Sequence, residues 1–506
     1  MIFTNEQKEF ILQYAQCLKN GCASVFLGSG FSRKSGYKGW SELLSKYARR
    51  IGLKIAKEQN DLISLAQYYV NSVHDTNELK KYICSVFSPE PNKHFNENHL
   101  LISSLPLQSY WTTNYDTLIE QVLDYRGLRF NKIIWDTDLR KKDNSAPLWL
   151  YKMHGDVGDF KSIIITKQDY ENYYDKYEMM IAKLKSEICT KTFLFLGYSI
   201  SDPNVMHILA RARKVFDKNK GRLHYAIMER PHEFLDDGRK NREYPYQIIK
   251  QQHQIADLAE YGIKVILVDN YDQITEILKA LLNIVYEKNV LISGTFENET
   301  KNSEQIGKLT ESLALWLITN NYRIFTGYGK NLGQRLVAGA FDGCQLKTTS
   351  ELIVQEIPDV VSINQRVVNA FSDKVFLFPF PYDTALTDNE RNDVYARLRH
   401  NMVASTRITI IICGEKYKDA KSNSLIRADG VIQEYEISKQ HGNIIIPIAI
   451  TGGVADDIWE ILHNSDNEFY QSDPFIRLKY ANTFEDALTA VYDSLTFCFE
   501  HDINFS

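Results

Sequence analysis

Ala23-Ser24-Val25-Phe26-Leu27-Gly28-Ser29-Gly30-Phe31-Ser32 is the stretch on which the fold turns. Ala23–Leu27 is a short apolar run that reads as a buried strand. It passes straight into Gly-Ser-Gly, and a helical pattern resumes near Trp40–Leu44. Strand, glycine turn, helix is the opening unit of a nucleotide-binding α/β domain. Glycines after a strand let backbone N–H groups approach a phosphate, and a helix N-terminus adds a favourable dipole. A glycine turn alone is a weak signal, since it is also simply a turn.

Working outward, a helical pattern precedes this stretch, from about Glu6 to Lys19. Further strands are expected at Ser109–Thr113, Leu148–Met153, Ser162–Thr166, Thr192–Leu196, His224–Met228 and Lys264–Val268. Helical stretches lie between most of them, which favours a mainly parallel sheet with helices on both faces. A second unit of the same kind starts near Asn289. Val290–Ser293 ends at Gly294, and Ile306, Leu309, Leu313, Trp316 and Leu317 then share one helical face. Arg323–Thr326 runs into Gly327-Tyr328-Gly329-Lys330-Asn331-Leu332-Gly333, and later strands are Val375–Phe378, Ile408–Cys413 and Ile444–Ile450. The expectation is an α/β protein of two consecutive Rossmann-like domains, 1–285 and 286–506.

Composition agrees. A chain of 506 residues exceeds one ordinary core. Hydrophobic residues at 44% supply apolar material for two cores and exclude wholesale disorder. The formal net charge is −5, and the last 56 residues carry 2 basic and 11 acidic side chains. No long basic stripe exists, so no nucleic-acid partner is expected. Seven scattered cysteines include no C-x-x-C pair, so neither a zinc site nor a disulfide framework is indicated. No signal peptide or apolar run of membrane-spanning length is visible, so a cytoplasmic protein with no membrane partner is expected.

Three further polar elements follow expected strands: Thr112-Thr113-Asn114-Tyr115-Asp116, His154-Gly155-Asp156, and Gly197-Tyr198-Ser199-Ile200-Ser201-Asp202. The carboxyl ends of parallel strands are where α/β domains bind ligands. Each has a bland reading: a helix N-cap by Asn114 or Asp116, a satisfied histidine, an ordinary turn. Jointly and in this order, the four elements resemble the sirtuin fold, over about residues 1–285. That resemblance implies NAD+ as substrate. Gly28, Ser29, Gly30 and Ser32 would hold its phosphates and Ser199 a ribose. Asn114 would orient the nicotinamide ribose or the attacking water, and Asp116 would bind the carboxamide. His154 would accept a proton from the ribose hydroxyl or the water. Protein-deacylating sirtuins usually carry a zinc ribbon of two C-x-x-C pairs, and none occurs here. Arg33-Lys34-Ser35-Gly36-Tyr37-Lys38-Gly39-Trp40 also lacks the family's usual Pro-Phe-Arg stretch. A pocket without an acyl-peptide groove passes the ribosyl cation to water, so hydrolysis of NAD+ to nicotinamide and an ADP-ribose product is expected, without a metal. A protein deacylase and a non-catalytic nucleotide-binding regulator are the alternatives.

In the second unit, Ser293-Gly294-Thr295, the Gly327–Gly333 loop and Ala428-Asp429-Gly430-Val431-Ile432-Gln433-Glu434-Tyr435-Glu436 resemble the SLOG family. The segment keeps Gly430 and Glu434 of the P-G-G-x-G-T-x-x-E motif of LOG phosphoribohydrolases but loses its proline, a glycine and its threonine. A nucleotide sensor is therefore expected rather than a second enzyme. A sirtuin-like domain followed by a SLOG domain resembles the effectors of the Thoeris antiphage system. That architecture implies a cyclic ADP-ribose signal, made by a TIR-domain partner, that binds the SLOG domain and switches on NAD+ depletion. It also implies a homo-oligomer, commonly a tetramer. The signal ligands carried over are Arg399 (with Arg397 the competing choice), Lys416 and Glu434, plus Gly294 and Gly329 for close backbone approach.

Overall fold

A computed structural model describes residues 3–55, 61–90, 93–141, 143–144, 146–198, 202–213, 222–234, 237–346, 352–356, 375–379, 387–419 and 423–500. The chain divides into two compact units, Phe3–Leu281 and a second from Leu282 onward.

The first unit is built on seven strands: β1 (Ala23–Leu27), β2 (Ser109–Thr112), β3 (Phe130–Ile133), β4 (Leu148–Lys152), β5 (Thr192–Leu196), β6 (His224–Glu229) and β7 (Ile263–Val268). Every pairing is parallel, in the order β3-β4-β2-β1-β5-β6-β7. Strands β1 and β5 are buried along their whole length. Helices cover both faces of such a sheet, so its strands read as unbroken apolar runs rather than alternation. After β1 the chain builds to one side, through β2, and from β5 it builds to the other. The crevice at the carboxyl ends of β1 and β5 is thus the topological switch point where such sheets bind ligands.

Between β1 and β2 lie the helices Trp40–Arg50, Leu62–Val73 and Thr76–Phe87. They pack around their own core of Leu43, Leu44, Tyr47, Leu65, Tyr69 and Ile83. The run Ser162–Thr166, expected as a strand, is not one. Ser162 closes a 3₁₀ turn and Thr166 caps the helix Lys167–Glu171. Ile163 and Ile165 pack into the helical module, and Ile164 packs into the sheet core. The run is apolar because it lies between two cores, and among the described residues no strand pairs with it. Strand β3 was not expected because its sequence, Phe-Asn-Lys-Ile, has no apolar run. Its buried Asn131 donates to the carbonyls of Asp143 and Ala146.

The second unit carries β8 (Asn289–Thr295), β9 (Arg323–Thr326), β10 (Leu352–Glu356), β11 (Val375–Pro379), β12 (Ile408–Cys413) and β15 (Ile444–Ile448), all parallel, in the order β11-β10-β9-β8-β12-β15. The pair β13 (Glu415–Tyr417) and β14 (Leu425–Arg427) forms a small antiparallel ribbon after β12. Strand β15 ends at Ile448, two residues short of the expected Ile450, where the 3₁₀ turn Ala449–Thr451 begins. The switch point falls between β8 and β12.

Candidate functional site

The loop after β1 and the loop after β5 are pressed backbone to backbone. A Cβ on Gly28 would stand 2.5 Å from the Gly197 carbonyl oxygen, and one on Gly30 2.8 Å from it. The Gly28 N–H donates to Leu196 O at 2.9 Å, and the Gly30 N–H to Gly197 O at 2.8 Å. The glycines are therefore explained by loop-on-loop packing, and their N–H groups are engaged within the protein. Of the expected phosphate ligands, Ser29 and Ser32 line the cavity that opens beside them. Ser199 lies outside the described residues.

That cavity measures about 430 Å³ and sits at the switch point. Asn114, Asp116 and His154 all line it, so the structure brings together residues 40 positions apart. Asn114 follows β2, and its Nδ2 donates to Gly28 O at 3.0 Å and Ser32 Oγ at 3.0 Å. A carbonyl can only accept, so the amide must turn its nitrogen to Gly28. Its Oδ1 is then buried without a hydrogen-bond partner. An acceptor left so costs roughly 1–3 kcal/mol unless a ligand or water reaches it through the cavity.

His154 follows β4 and is buried, with its ring edge-on to Tyr170 and Tyr173. The turn that presents it depends on Gly155, which has φ +94°, and a Cβ there would lie 2.3 Å from the Ser162 carbonyl oxygen. His154 Nε2 stands 3.2 Å from Asp202 Oδ2, close enough for an ion pair but not aligned as a hydrogen bond.

Asp116 is buried, and its Oδ1 accepts the Leu118 N–H at 3.1 Å. It therefore does serve the first turn of the helix Leu118–Tyr125, as the bland reading proposed, while also facing the cavity. Burial pushes its carboxyl pKa up, against the opposing pull of the nearby Lys152. Lys152, at the end of β4, is fully buried. Its Nζ donates to the carbonyls of Tyr115 and Asp116, to Glu120 at 2.9 Å and to Asp156 at 2.6 Å. This lysine ties the Asn114–Asp116 loop to the strand bearing His154.

Sequence reasoning missed two groups here. The hydroxyls of Tyr37 and Tyr198 are buried, unpartnered, and belong to cavity-lining residues. Tyr37 is held by stacking on Phe87, with ring centroids 5.5 Å apart. Burial, then the charge of Asp116, push its phenol up to about 12, so it remains a donor at neutral pH. The signal available was negative: Tyr37 stands in the stretch that departs from the sirtuin pattern.

In the second unit both carried-over cations reach the first turns of the helix Asp429–His441. Lys416 Nζ pairs with Asp429 at 2.7 Å, and Arg399 donates to Gln433 at 2.7 Å and approaches Glu434 at 3.8 Å. Arg397 instead donates to Asp393 O on its own helix. Glu434 is buried and accepts the Ser293 hydroxyl from β8. Gly329 packs on Gly294: a Cβ on the former would stand 1.9 Å from the carbonyl oxygen of the latter.

Comparison with known proteins places these units. The SIR2-like domain family matches residues 108–266, and the Sir2- and TIR-associating SLOG family matches residues 273–367 and 360–493. The chain is 35% identical to the NAD(+) hydrolase ThsA of Enterococcus faecium over 92% of each chain. It is 30% identical to the NAD(+) hydrolase ThsA of Bacillus cereus, over 91% of this chain and 90% of that one. Defense-associated sirtuin 2 of Bacillus subtilis is 28% identical over 42% of this chain and 22% of its own length.

Proposed function

The chain belongs to the ThsA family of NAD(+) hydrolases, and from that premise we propose that its first unit cleaves the nicotinamide–ribose bond of NAD+ as a defence effector. The observation that carries this reading is the convergence of Asn114 Oδ1 and His154 on one cavity, the former a buried acceptor with no internal partner. The chemistry needs little more. Nicotinamide leaves as a neutral molecule when the pyridinium C–N bond breaks, so no general acid is required. Water adds to C1′ of the ribose, and His154 takes the proton from the water or from a ribose hydroxyl. Asn114 Oδ1 accepts from the same water or ribose. Asp116 accepts the carboxamide NH₂ and the Tyr37 hydroxyl donates to the carboxamide oxygen, which recognises a primary amide from both sides. The products are nicotinamide, ADP-ribose and a proton.

The second unit serves as receiver for a cyclic ADP-ribose-type signal from a TIR-domain partner. Its match to a SLOG family named for association with Sir2 and TIR supports this reading, as does the gathering of Arg399, Lys416 and Glu434 around one helix start. Two cations suit a pyrophosphate and a carboxylate suits ribose hydroxyls. A ligand activates only if it binds the active arrangement more tightly than the resting one. Assembly as a homotetramer belongs to the same proposal. The test incubates the purified full chain with NAD+, with and without cyclic ADP-ribose isomers, and follows nicotinamide. Release that survives unchanged in both Asn114→Ala and His154→Ala would refute the site.

A further inference from the structure

Asp202 opens the helix Pro203–Arg213, and its two carboxylate oxygens do different things. Oδ1 accepts the N–H groups of Asn204 at 3.0 Å and Val205 at 3.2 Å, an N-cap arrangement. Oδ2 accepts the Tyr170 hydroxyl at 2.8 Å and stands 3.2 Å from His154 Nε2. The side chain is only 9% exposed, and Asp202 lines the same cavity as His154 and Tyr170. Burial pushes its carboxyl up, but the neighbouring His154 and the hydrogen bonds from Tyr170 and Val205 outweigh that and hold it below the ordinary value. It is an ionised group that can only accept.

Building on the hydrolase reading, we propose that Asp202 is the positioning residue of the base: its carboxylate, 3.2 Å from His154 Nε2, favours the ring proton on that nitrogen and so leaves the Nδ1 lone pair to take a proton. A buried Nε2 against a fixed carboxylate keeps that nitrogen protonated, and the other nitrogen is then the acceptor. The same carboxylate steadies the imidazolium that forms when His154 takes the proton. Tyr170 holds Oδ2 in place from a second direction.

The cap makes the test sharp. In Asp202→Asn the amide oxygen must stay on the N–H groups of Asn204 and Val205, because only an acceptor satisfies them. The NH₂ then faces His154 Nε2 and forces it to accept, which moves the ring proton to Nδ1 and blocks the base. The fold keeps its cap, since Asn caps helices as well as Asp.

The experiment uses the full chain labelled with ¹⁵N-histidine, His154 being assigned by loss of its signals in His154→Gln. Wild-type protein is expected to show the Nε2–H tautomer and Asp202→Asn the Nδ1–H tautomer. With NAD+ as substrate and cyclic ADP-ribose present, Asp202→Asn is expected to lose on the order of 10²–10⁴-fold in kcat at unchanged KM and unfolding temperature. Tyr170→Phe is expected to lose only a few-fold, as roughly one hydrogen bond is removed. An Nδ1–H tautomer in the wild type overturns the proposal, and this measurement requires no variant at position 202. A folded Asp202→Asn with wild-type kcat, beside an inactive His154→Gln, overturns it while the hydrolase reading stands. Wild-type turnover by His154→Gln overturns both.

Discussion

The two units put the same topological feature to opposite electrostatic use. At the switch point of the first sheet, polar groups are buried without internal partners: Asn114 Oδ1 and the hydroxyls of Tyr37 and Tyr198. At the switch point of the second sheet, the charges already hold one another. Arg399 lies against Gln433 and Glu434, Lys416 against Asp429, Lys330 against Glu297, and Glu434 against Ser293. A buried polar group with no partner in the protein is open to a ligand or to water. A set of internal ion pairs is a resting state that a ligand must displace, which suits a switch better than a turnover site. Two carboxylates run against this contrast. Asp202 is held below the ordinary carboxylate value by His154 and its donors despite burial, whereas burial raises Glu434 despite Ser293 and Arg399.

The largest expected effect would break the first half of this comparison. Asn114→Ala and His154→Ala should each remove nicotinamide release, by about 10²-fold or more, from a protein of normal unfolding temperature. Arg399→Ala addresses the second half. It should leave a folded protein whose nicotinamide release no longer rises with added cyclic ADP-ribose, and full activation at the wild-type signal concentration would refute the site. Gly155→Ala should destabilise the first unit by roughly 2–4 kcal/mol, read by denaturant unfolding, because both its φ and the Ser162 carbonyl oppose a side chain.

Tyr37→Phe separates the two kinds of site more finely. Loss of one donor to substrate should raise KM for NAD+ about tenfold, while loss of a buried orphan hydroxyl should stabilise the free protein by about 1 kcal/mol. A rise in KM without any gain in stability would mean that the hydroxyl has a partner in the free protein. The smallest effect concerns Glu434. Its native pKa lies above its unfolded value, so the fold holds a proton that the unfolded chain has released. Stability therefore falls as pH rises through the window between the two values. Glu434→Gln should accordingly raise the unfolding temperature at neutral pH by roughly 1–3 °C and lose that advantage below about pH 4.5. Asp202 has the opposite sign: its contribution is present above the unfolded value and is lost as pH falls through the native one.

Much of this was legible in the residues alone. Both parallel sheets and the order of the strand-end motifs follow from apolar runs ending in polar loops, and the joint role of Asn114 and His154 from the resemblance of those motifs to sirtuins. Strands buried on both faces must be apolar throughout, and ligand groups must follow them. Where an apolar run had another cause the reading failed: Ser162–Thr166 is buried between two cores, with no strand partner among the described residues. Where a strand needed no apolar run, as with Phe130–Ile133, it passed unseen.

Tertiary structure alone decided which polar atoms have partners. The glycines after β1 were read as making room for phosphate. In the fold they also make room for the loop after β5, and their N–H groups bond to Leu196 O at the end of that strand and to Gly197 O in the loop. No role for Tyr37, Lys152 or Asp202 was legible, because the groups that act on them lie 79, 36 and 48 residues away, at Asp116 in each of the first two cases and at His154 in the third. Sequence determines a side chain's chemistry and the face of the element that bears it. Whether that chemistry is satisfied or left waiting depends on which elements close over it, and this is settled only when the chain packs.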